Sequence, residues 1–503
     1  MRIRDFFFLI LLGVPTAALA LPQAPLTCTQ VLAWLGSDVP SARLLQLIEE
    51  KGFAEAANAA DMRALQEAGA QPELIAVIRR VNPSGLRTTS SACPTQLVRA
   101  SNLAKSREYE QAETIIRAMV DADDENPALH FALGDLRLKQ GDLDESFDEF
   151  STAKELMPGL AEVHSRLAYI FYRSNDGDNA IAEARTALSI NPGNAEAYRY
   201  LALGLQANGL FEAAFHAFHE SLTHDSHNAA TYHDLALALE QTGDANAAVE
   251  AYRHAILLDP QSWESRNNLA MLLHKQKLFA PAVAEFQQAK QLAPDEATIR
   301  NNLADTLFDK GDFDAALTEF RTLFGLHPEW TLGHDLVARI FMAKHDYAAA
   351  VPEWQKAILQ SPTSADPHRL LGQTYLLLHQ QRDALRELRI AVELGPDSPL
   401  SHHYLGTALF EVQKFYAASK EFREALRLEP NAGNHYSLAA CLITMGDYDG
   451  GLLELNAAAR LDPAQALYQQ RRQELIRLMK AGRNGRIEIP SHFDVDSGIG
   501  SLK

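Results

Sequence analysis

The chain has 503 residues, of which 47% are hydrophobic and 22% are charged, and its formal net charge is −19 at pH 7. This composition is typical of a folded protein, and the acidity argues against nucleic acid and anionic lipid as partners. A basic partner would be attracted, although an acidic surface also serves solubility alone. The three cysteines form no Cys-x-x-Cys pair, so a cysteine zinc site is not expected.

Residues 1–20 have the pattern of a secretory signal sequence. Two arginines precede an apolar stretch at residues 6–14, and Ala-Leu-Ala at 18–20 supplies the small residues of a cleavage site. The apolar stretch is too short to span a membrane as a finished helix, and no later stretch is long and apolar enough. We therefore expect cleavage after Ala20 and a periplasmic or secreted protein without a membrane span; an uncleaved anchor is the alternative.

Residues 21–82 predict a small helical module of two similar hairpins. Two amphipathic segments resemble each other at an offset of 30 residues. Leu35, Leu44, Leu47 and Ile48 of the first correspond to Leu65, Leu74, Val77 and Ile78 of the second. Ser41 and Gln71-Pro72 are favourable helix starts. The Pro-, Gly- and Ser-containing stretch at 83–92 has the composition of a linker.

Two cysteines, Cys28 and Cys93, bracket this module. In an oxidising compartment they could form a disulfide that closes a long loop and adds roughly 4 kcal/mol of stability. The alternative is two unpaired thiols, because spacing alone does not establish proximity. Cys441 falls on an apolar face and is predicted to be a small core residue.

From residue 93 to 465 the chain repeats a 34-residue pattern about eleven times. The clearest marker is a proline on one 34-residue grid. It occurs at Pro158, Pro192, Pro260, Pro294, Pro328, Pro362, Pro396 and Pro430. The repeats begin at residues 93, 127, 161, 195, 229, 263, 297, 331, 365, 399 and 432. An amphipathic helix at 466–482 has the character of a terminal cap, and 483–503 of a loose polar tail.

Within a repeat, the apolar positions predict two amphipathic helices. Position 7 is nearly always Leu, positions 8 and 20 are small, and position 24 is usually aromatic. Positions 4, 7, 8 and 11 share one helical face, as do 20, 24, 27 and 28. A Gly-Asp turn often separates the helices, as at Gly141-Asp142, and the proline at position 32 ends the second helix. One hairpin cannot bury both faces, so neighbouring hairpins must stack.

This pattern resembles the tetratricopeptide repeat family over about 93–465. The resemblance implies an all-α, tetratricopeptide-type α-solenoid: a right-handed superhelix of helical hairpins whose first helices line a concave groove. Three departures stand out: position 4 lacks the family's tryptophan, Ser146 and Gly451 replace alanine at position 20, and Pro352 is expected to interrupt the start of a second helix.

No phosphate-binding loop, nucleophile elbow, His-Glu-x-x-His or dinucleotide fingerprint occurs, so we expect neither catalysis nor a cofactor. Six histidines share position 4, which predicts half-buried packing rather than metal ligands. They are His130, His164, His334, His368, His402 and His435. A tighter set is formed by His216, His219, His224 and His227. This set could bind zinc or nickel; the alternative is that these histidines simply form part of a polar convex surface.

The groove offers one candidate binding patch. Asn267-Asn268 and Asn301-Asn302 occupy positions 5 and 6 of consecutive repeats, and Asp305 lies near them. In the glycosyltransferase members of the family, an asparagine ladder at the position of Asn268 and Asn302 grips a peptide backbone; here the ladder has only two rungs. An amide suits that task because it both donates and accepts. Ordinary solvated polar positions remain the alternative.

These features predict a secreted or periplasmic protein–protein interaction scaffold that binds a peptide or protein partner in the groove. An accessory subunit of a cell-envelope export or polysaccharide assembly system is the first alternative. A metal-binding protein or an enzyme without a recognisable motif is the second.

Overall fold

The computed structural model describes residues 25–54, 58–81 and 93–482. In this part of the chain the regular structure is helical, apart from an isolated bridge between Leu26 and Phe53. The predicted signal sequence (1–20), linker (83–92) and tail (483–503) lie outside the described residues. The chain divides into two compact units, which meet in sequence at Asp259 and Pro260.

The first unit contains fourteen described helices. They are α1 (Cys28–Gly36), α2 (Ser41–Lys51), α3 (Ala59–Glu67), α4 (Pro72–Arg80), α5 (Thr95–Lys105), α6 (Tyr109–Ala122), α7 (Pro127–Gln140), α8 (Leu143–Leu156), α9 (Ala161–Arg173), α10 (Gly177–Ile190), α11 (Ala195–Ala207), α12 (Phe211–His224), α13 (Ala229–Thr242) and α14 (Ala245–Leu258). From α5 onward they form consecutive hairpins, each packed against the next.

The second unit contains thirteen described helices. They are α15 (Trp263–Lys275), α16 (Phe279–Leu292), α17 (Ala297–Lys310), α18 (Phe313–Leu326), α19 (His334–Ala343), α20 (Tyr347–Gln360), α21 (Ala365–Leu377), α22 (Gln381–Leu394), α23 (Pro399–Glu411), α24 (Phe415–Leu428), α25 (Ala432–Thr444), α26 (Tyr448–Leu461) and α27 (Ala466–Gly482). The same hairpin stacking confirms the predicted all-α solenoid fold.

Each hairpin is built as its sequence predicts. Gly141 ends α7 in the left-handed conformation, with φ +87°, and the Asp142 side chain accepts a hydrogen bond from the Glu145 amide at the start of α8. A small residue at position 8 admits the aromatic ring of position 24. A Cβ added to Gly406, for example, would lie 2.7 Å from the Phe422 ring, so alanine would fit here only if the ring shifted.

Two details of the second unit differ from the sequence expectation. Pro352 does not interrupt its helix, because α20 continues through it; a proline lacks one backbone N–H, and the neighbouring bonds hold the helix. The first helix α19 begins only at His334, three residues later than its repeat would allow. Gly333, which caps it, has φ +97° and no room for a Cβ beside Phe320.

The core consists of successive hydrophobic clusters along each unit. The aromatic residues of position 24 are fully buried, and Cys441 is buried as predicted, which raises the pKa of its thiol to about 12. At the C-terminal end, α27 covers the last hairpin with Tyr468 and Leu475. In the described part of the chain, no helix combines the length and apolar character that crossing a membrane requires.

Candidate functional site

The first helix of each repeat presents positions 2, 5, 6, 9, 12 and 13 away from its hairpin partner. We call this surface the first-helix face. Its contacts run from one repeat to the next. Position 5 meets position 6 of the following repeat in both units, as Arg199 meets Asp234 and Asn267 meets Asn302. The first-helix face is therefore the place where residues of successive repeats combine into a site.

In the second unit, three of the four predicted asparagines form a hydrogen-bonded amide patch. Asn302 Nδ2 donates to Asn267 Oδ1 over 3.2 Å, and Asn267 Nδ2 donates to Asn268 Oδ1 over 3.3 Å. Asn267 is only 6% exposed, whereas Asn268 and Asn302 are half-buried. Asn267 thus links two repeats and fixes the orientation of the two more exposed amides.

The fourth asparagine, Asn301, does not join this patch. Its Oδ1 is buried and has no hydrogen-bond partner in the described part of the chain. A buried acceptor without a partner costs about 1–3 kcal/mol. Asn301 occupies position 5, as Asn267 does, but position 6 of the following repeat is Leu336, which offers no amide to bind.

Asp305, the fifth predicted residue, belongs to an acidic group beside the patch. Burial raises the pKa of Asp305, His274 acts in the opposite direction, and the charges of Asp309 and Asp335 raise it further. In the described part of the chain its one ion-pair partner is His274, at 4.0 Å, and His274 bonds more closely to Asp309, at 2.8 Å. Asp305 therefore lacks a close cation within the part of the chain that the structure describes.

Sequence reasoning missed His274 and Asp335 as members of this group. Both occupy first-helix-face positions, 12 and 5, of the repeats that flank Asp305. Extending the face assignment to every position of three consecutive repeats would have found them.

The six position-4 histidines are partly buried, as predicted, but they also have a polar role. In each, Nδ1 lies 2.5–2.8 Å from the glutamate nineteen residues later. His402 also contacts the Pro396 carbonyl oxygen through Nε2, at 2.9 Å. Arg300 makes the same two contacts, to Glu319 and to the Pro294 carbonyl. We call this arrangement the hairpin clasp, because it joins the two helices of one repeat.

The sequence contained a signal for the hairpin clasp. Position 23 is Glu in each repeat from residue 127 onward whose position 4 is His or Arg. In the two repeats where position 4 is Tyr198 or Tyr232, position 23 is Ala217 or Ala251. Here the tyrosine stacks instead on a histidine of the second helix, His224 or His254. Positions 4 and 23 therefore vary together within this chain.

The alternative metal set does not converge. His216 and His219 lie exposed on α12, His224 stacks on Tyr198, and His227 lies beyond the helix, next to Ser226. Within the described residues there is no group of three or more His, Cys, Asp or Glu side chains that could hold a metal ion.

In the first unit, the N-terminal module (α1–α4) covers the first-helix face of the first repeats. Helix α1 packs against α5 and α7, which are first helices. One hydrophobic cluster extends from Leu26 in the module to Ile170 in α9, and Trp34 is 1% exposed within it. A disulfide joins Cys28 to Cys93, with the two Cα atoms 5.3 Å apart. The sequence did not indicate this docking.

Charged side chains surround the docked module. Lys139 Nζ donates to Asp38 over 2.8 Å, Arg43 Nε donates to Glu162 over 2.8 Å, and Arg166 donates to the Ser37 carbonyl over 3.4 Å. Arg43 and Glu162 are both largely buried. The Asp38 carboxylate, the Arg43 guanidinium and the Ser37 carbonyl of the module are thus each paired with a first-helix residue of the array.

The charges beneath the module compensate one another. Burial raises the pKa of Asp135, while Arg166 and Lys139 act to lower it. Burial acts to lower the pKa of Lys139, but the carboxylates of Asp135 and Asp38 outweigh it and raise the pKa above its usual range. Asp135 lies 2.9 Å from Lys139 and 3.4 Å from Arg166. Its negative charge therefore depends on two cations of the same face.

Comparisons with known proteins agree with the repeat fold. Models of the tetratricopeptide repeat match residues 97–161, 233–297 and 403–466, and a second such model matches 273–340. A comparison with curated proteins gave no match.

Solved structures with similar folds have low sequence identity. MamA (41-end) from Desulfovibrio magneticus RS-1 is 18% identical, over 33% of this chain and 94% of that chain, with a TM-score of 0.32. A tetratricopeptide repeat protein from Parabacteroides merdae ATCC 43184 is 17% identical, over 50% and 98%, with a TM-score of 0.36. Pseudomonas aeruginosa pilF is 22% identical, over 44% and 98%, with a TM-score of 0.37.

The stacked hairpins, their Gly-Asp turns and small-residue contacts, and the matching repeat models all lead to one assignment. The fold is typical of non-catalytic scaffolds for protein–protein interaction. The chain belongs to the tetratricopeptide repeat family.

Proposed function

We propose that this protein is a periplasmic or secreted scaffold that binds an extended peptide segment of a partner protein along the first-helix face of its second unit. The observation that carries the proposal is the amide patch. Asn267 holds Asn268 and Asn302 in place through Asn268 Oδ1 and Asn302 Nδ2. The Asn268 Nδ2 donor and the Asn302 Oδ1 acceptor form no hydrogen bond within the described chain and are available to a partner. A donor and an acceptor one repeat apart match the alternating groups of an extended backbone.

The acidic group beside the patch adds a preference for charge. Asp305 has no close cation in the described residues, and Asp309 and Asp335 increase the negative potential around it. A lysine or arginine of the partner would supply the missing charge. We therefore expect a partner segment with a basic side chain next to the residues whose backbone the amides bind.

The peptide site is tested by display of a random-peptide library on the exported chain. Selected peptides should be enriched in Lys or Arg, and Asn268→Ala with Asn302→Ala should weaken their binding about tenfold or more, since each lost hydrogen bond contributes about 1 kcal/mol. The matched control is Gln287→Ala with Gln288→Ala, two exposed amides on the second helix α16 of the Asn268 repeat. Equal binding by the wild type and the asparagine variant would exclude this site.

Export is supported by two independent features: the signal-like pattern of residues 1–20 and the Cys28–Cys93 disulfide, a bond that persists in oxidising compartments. N-terminal sequencing of the protein from its native host should begin at Leu21. A native chain that starts at Met1 and has reduced Cys28 and Cys93 would contradict this location without affecting the peptide site.

A further inference from the structure

We propose that the N-terminal module is a built-in ligand of the array: it closes the first-helix face of the repeats at 93–194 to other partners, and the Cys28–Cys93 disulfide locks it there. The module has its own buried residues on all four helices, among them Leu44, Leu65 and Ile78, and α2 packs against α4. It thus has packing of its own, and through α1 it also shares one hydrophobic cluster with the array.

The contact between the module and the array resembles a protein–protein interface. At its centre, Ala33 and Gly36 of α1, with Ser37 directly after its end, face small residues of α5 and α7. A Cβ added to Gly36 would lie 3.2 Å from the Ser101 Cβ, so the two helices approach closely. A cavity of about 20 Å³ remains between them. The buried Ser101 hydroxyl beside it has no hydrogen-bond partner in the described residues.

The edge of the contact is polar and specific. The turn between α1 and α2 offers the Ser37 carbonyl and the Asp38 carboxylate, and α2 offers the Arg43 guanidinium. An apolar centre with a charged rim is the usual arrangement of an interface between separate proteins. The array thus recognises a helix–turn–helix segment by one backbone group and two side chains of opposite charge.

The disulfide supplies a second covalent tether. Cys28 is the first residue of α1, and Cys93 lies two residues before α5, the helix on which α1 packs. A tethered ligand has an effective concentration of the order of millimolar, so a free partner of ordinary affinity does not displace it. While the disulfide is intact, the face beneath the module is closed.

The lock is tested by hydrogen exchange on the full-length mature chain. In the variant Cys28→Ser with Cys93→Ser, amides of α1 and α2 should exchange about tenfold faster or more, while those of α7 and α9 keep their protection. Adding Arg43→Glu, which places an acid opposite Glu162, should increase the exchange of α1 and α2 further. Helices α24 to α26 serve as the internal reference in every sample.

Two results would overturn the proposal. One is unchanged exchange of α1 and α2 in both variants. The other is equal loss of protection in α1, α7 and α9, because the module would then be an inseparable part of the first repeats.

A synthetic peptide of residues 25–54, with Ser in place of Cys28, provides a second test. It should bind the disulfide-free chain at least about tenfold more tightly than the wild-type chain, whose face is closed. The matched control is the same peptide with Arg43→Glu, which should lose most of this binding. Equal affinity of the peptide for the locked and unlocked chains would show that the module does not guard this face.

Discussion

Asp135 and Asp305 occupy position 9 of their repeats, one in each unit, and their surroundings differ. Burial raises the pKa of both carboxyl groups. Asp135 lies beneath the N-terminal module with Lys139 at 2.9 Å and Arg166 at 3.4 Å. Among the described residues, Asp305 has only His274 as an ion-pair partner, at 4.0 Å, and two further acids nearby. Asp135 is thus paired with cations of its own chain, whereas Asp305 has no close cation among the described residues.

The difference shows that the same 34-residue repeat can build a face that binds the module and a face that is available to a partner. Positions 7, 8, 20 and 24 build the same core in both units, so the backbone presents the same face positions everywhere. Position 6 is Arg166 in one repeat beneath the module, and Asn268 and Asn302 in the first two repeats of the second unit. Charged first-helix residues hold the module in the first unit. In the second unit, the amides and the weakly paired Asp305 leave hydrogen-bonding and electrostatic capacity for a partner.

Removing the apolar anchor of the module should have the largest effect on the first unit. Trp34→Ala should lower the free energy of unfolding by about 3–5 kcal/mol, since the ring is fully buried. Urea denaturation of the purified chain measures the loss. As a control, Leu359→Ala on α20, where the leucine is 82% exposed, should change stability by less than about 0.5 kcal/mol. Equal effects of the two changes would mean that the module contributes no core.

Removing a charged side chain beneath the module should give the next largest loss of stability. Arg166→Met should cost about 3 kcal/mol, because it leaves Glu196, Asp135 and the Ser37 carbonyl without this partner in a buried setting. Arg339→Met is the matched change in the second unit and should be nearly neutral, because this arginine of the first-helix face is exposed and has no ion pair within the described residues. If Arg166→Met were equally harmless, the ionic rim would not hold the module.

The two position-9 aspartates provide the sharpest comparison. Asp135→Asn should destabilise the chain by about 2 kcal/mol, since two cations lose their partner. Asp305→Asn should leave stability unchanged or raise it, because it removes a charge whose burial is poorly compensated. Thermal unfolding at pH 7 measures both. Destabilisation by Asp305→Asn as large as that by Asp135→Asn would remove the distinction between a satisfied and an unsatisfied face.

Substitutions in the hairpin clasp should have the smallest effect on stability, and the effect should depend on whether the new side chain can donate hydrogen bonds. His402→Leu should cost about 1 kcal/mol through the lost contacts to Glu421 and the Pro396 carbonyl, whereas His402→Arg should be tolerated, as Arg300 makes the equivalent contacts. His216→Leu on the exposed side of α12 is the control. If His402→Arg and His402→Leu lowered the free energy of unfolding equally, the clasp would depend on side-chain packing and not on hydrogen bonding.

Much of the fold could be predicted because its information is local and repeated. The hairpins, their Gly-Asp turns and the buried ring at position 24 each follow from helical periodicity and turn chemistry within 34 residues. The candidate patch was predicted in part for the same reason: Asn268 and Asn302 share one repeat position. The hydrogen bond that joins Asn302 to Asn267 follows from the stacking of two hairpins, which the repeat also implies.

The docking of the N-terminal module could not be predicted, because it depends on contacts between segments that are far apart in sequence and are not related by the 34-residue repeat. Arg43 meets Glu162 across 119 residues, and Lys139 meets Asp38 across 101. No sequence pattern distinguishes these residues from ordinary surface charges.

By itself, the sequence determined the repeat, its two helices and the residues that each helix turns inward, because these depend on spacing along one chain segment. Only the tertiary structure decided which first-helix residues are already satisfied. That outcome depends on which body docks against them, and docking follows from shape and charge complementarity over distance. The same carboxylate at position 9 is consequently a covered structural group in one unit and a candidate contact for a partner in the other.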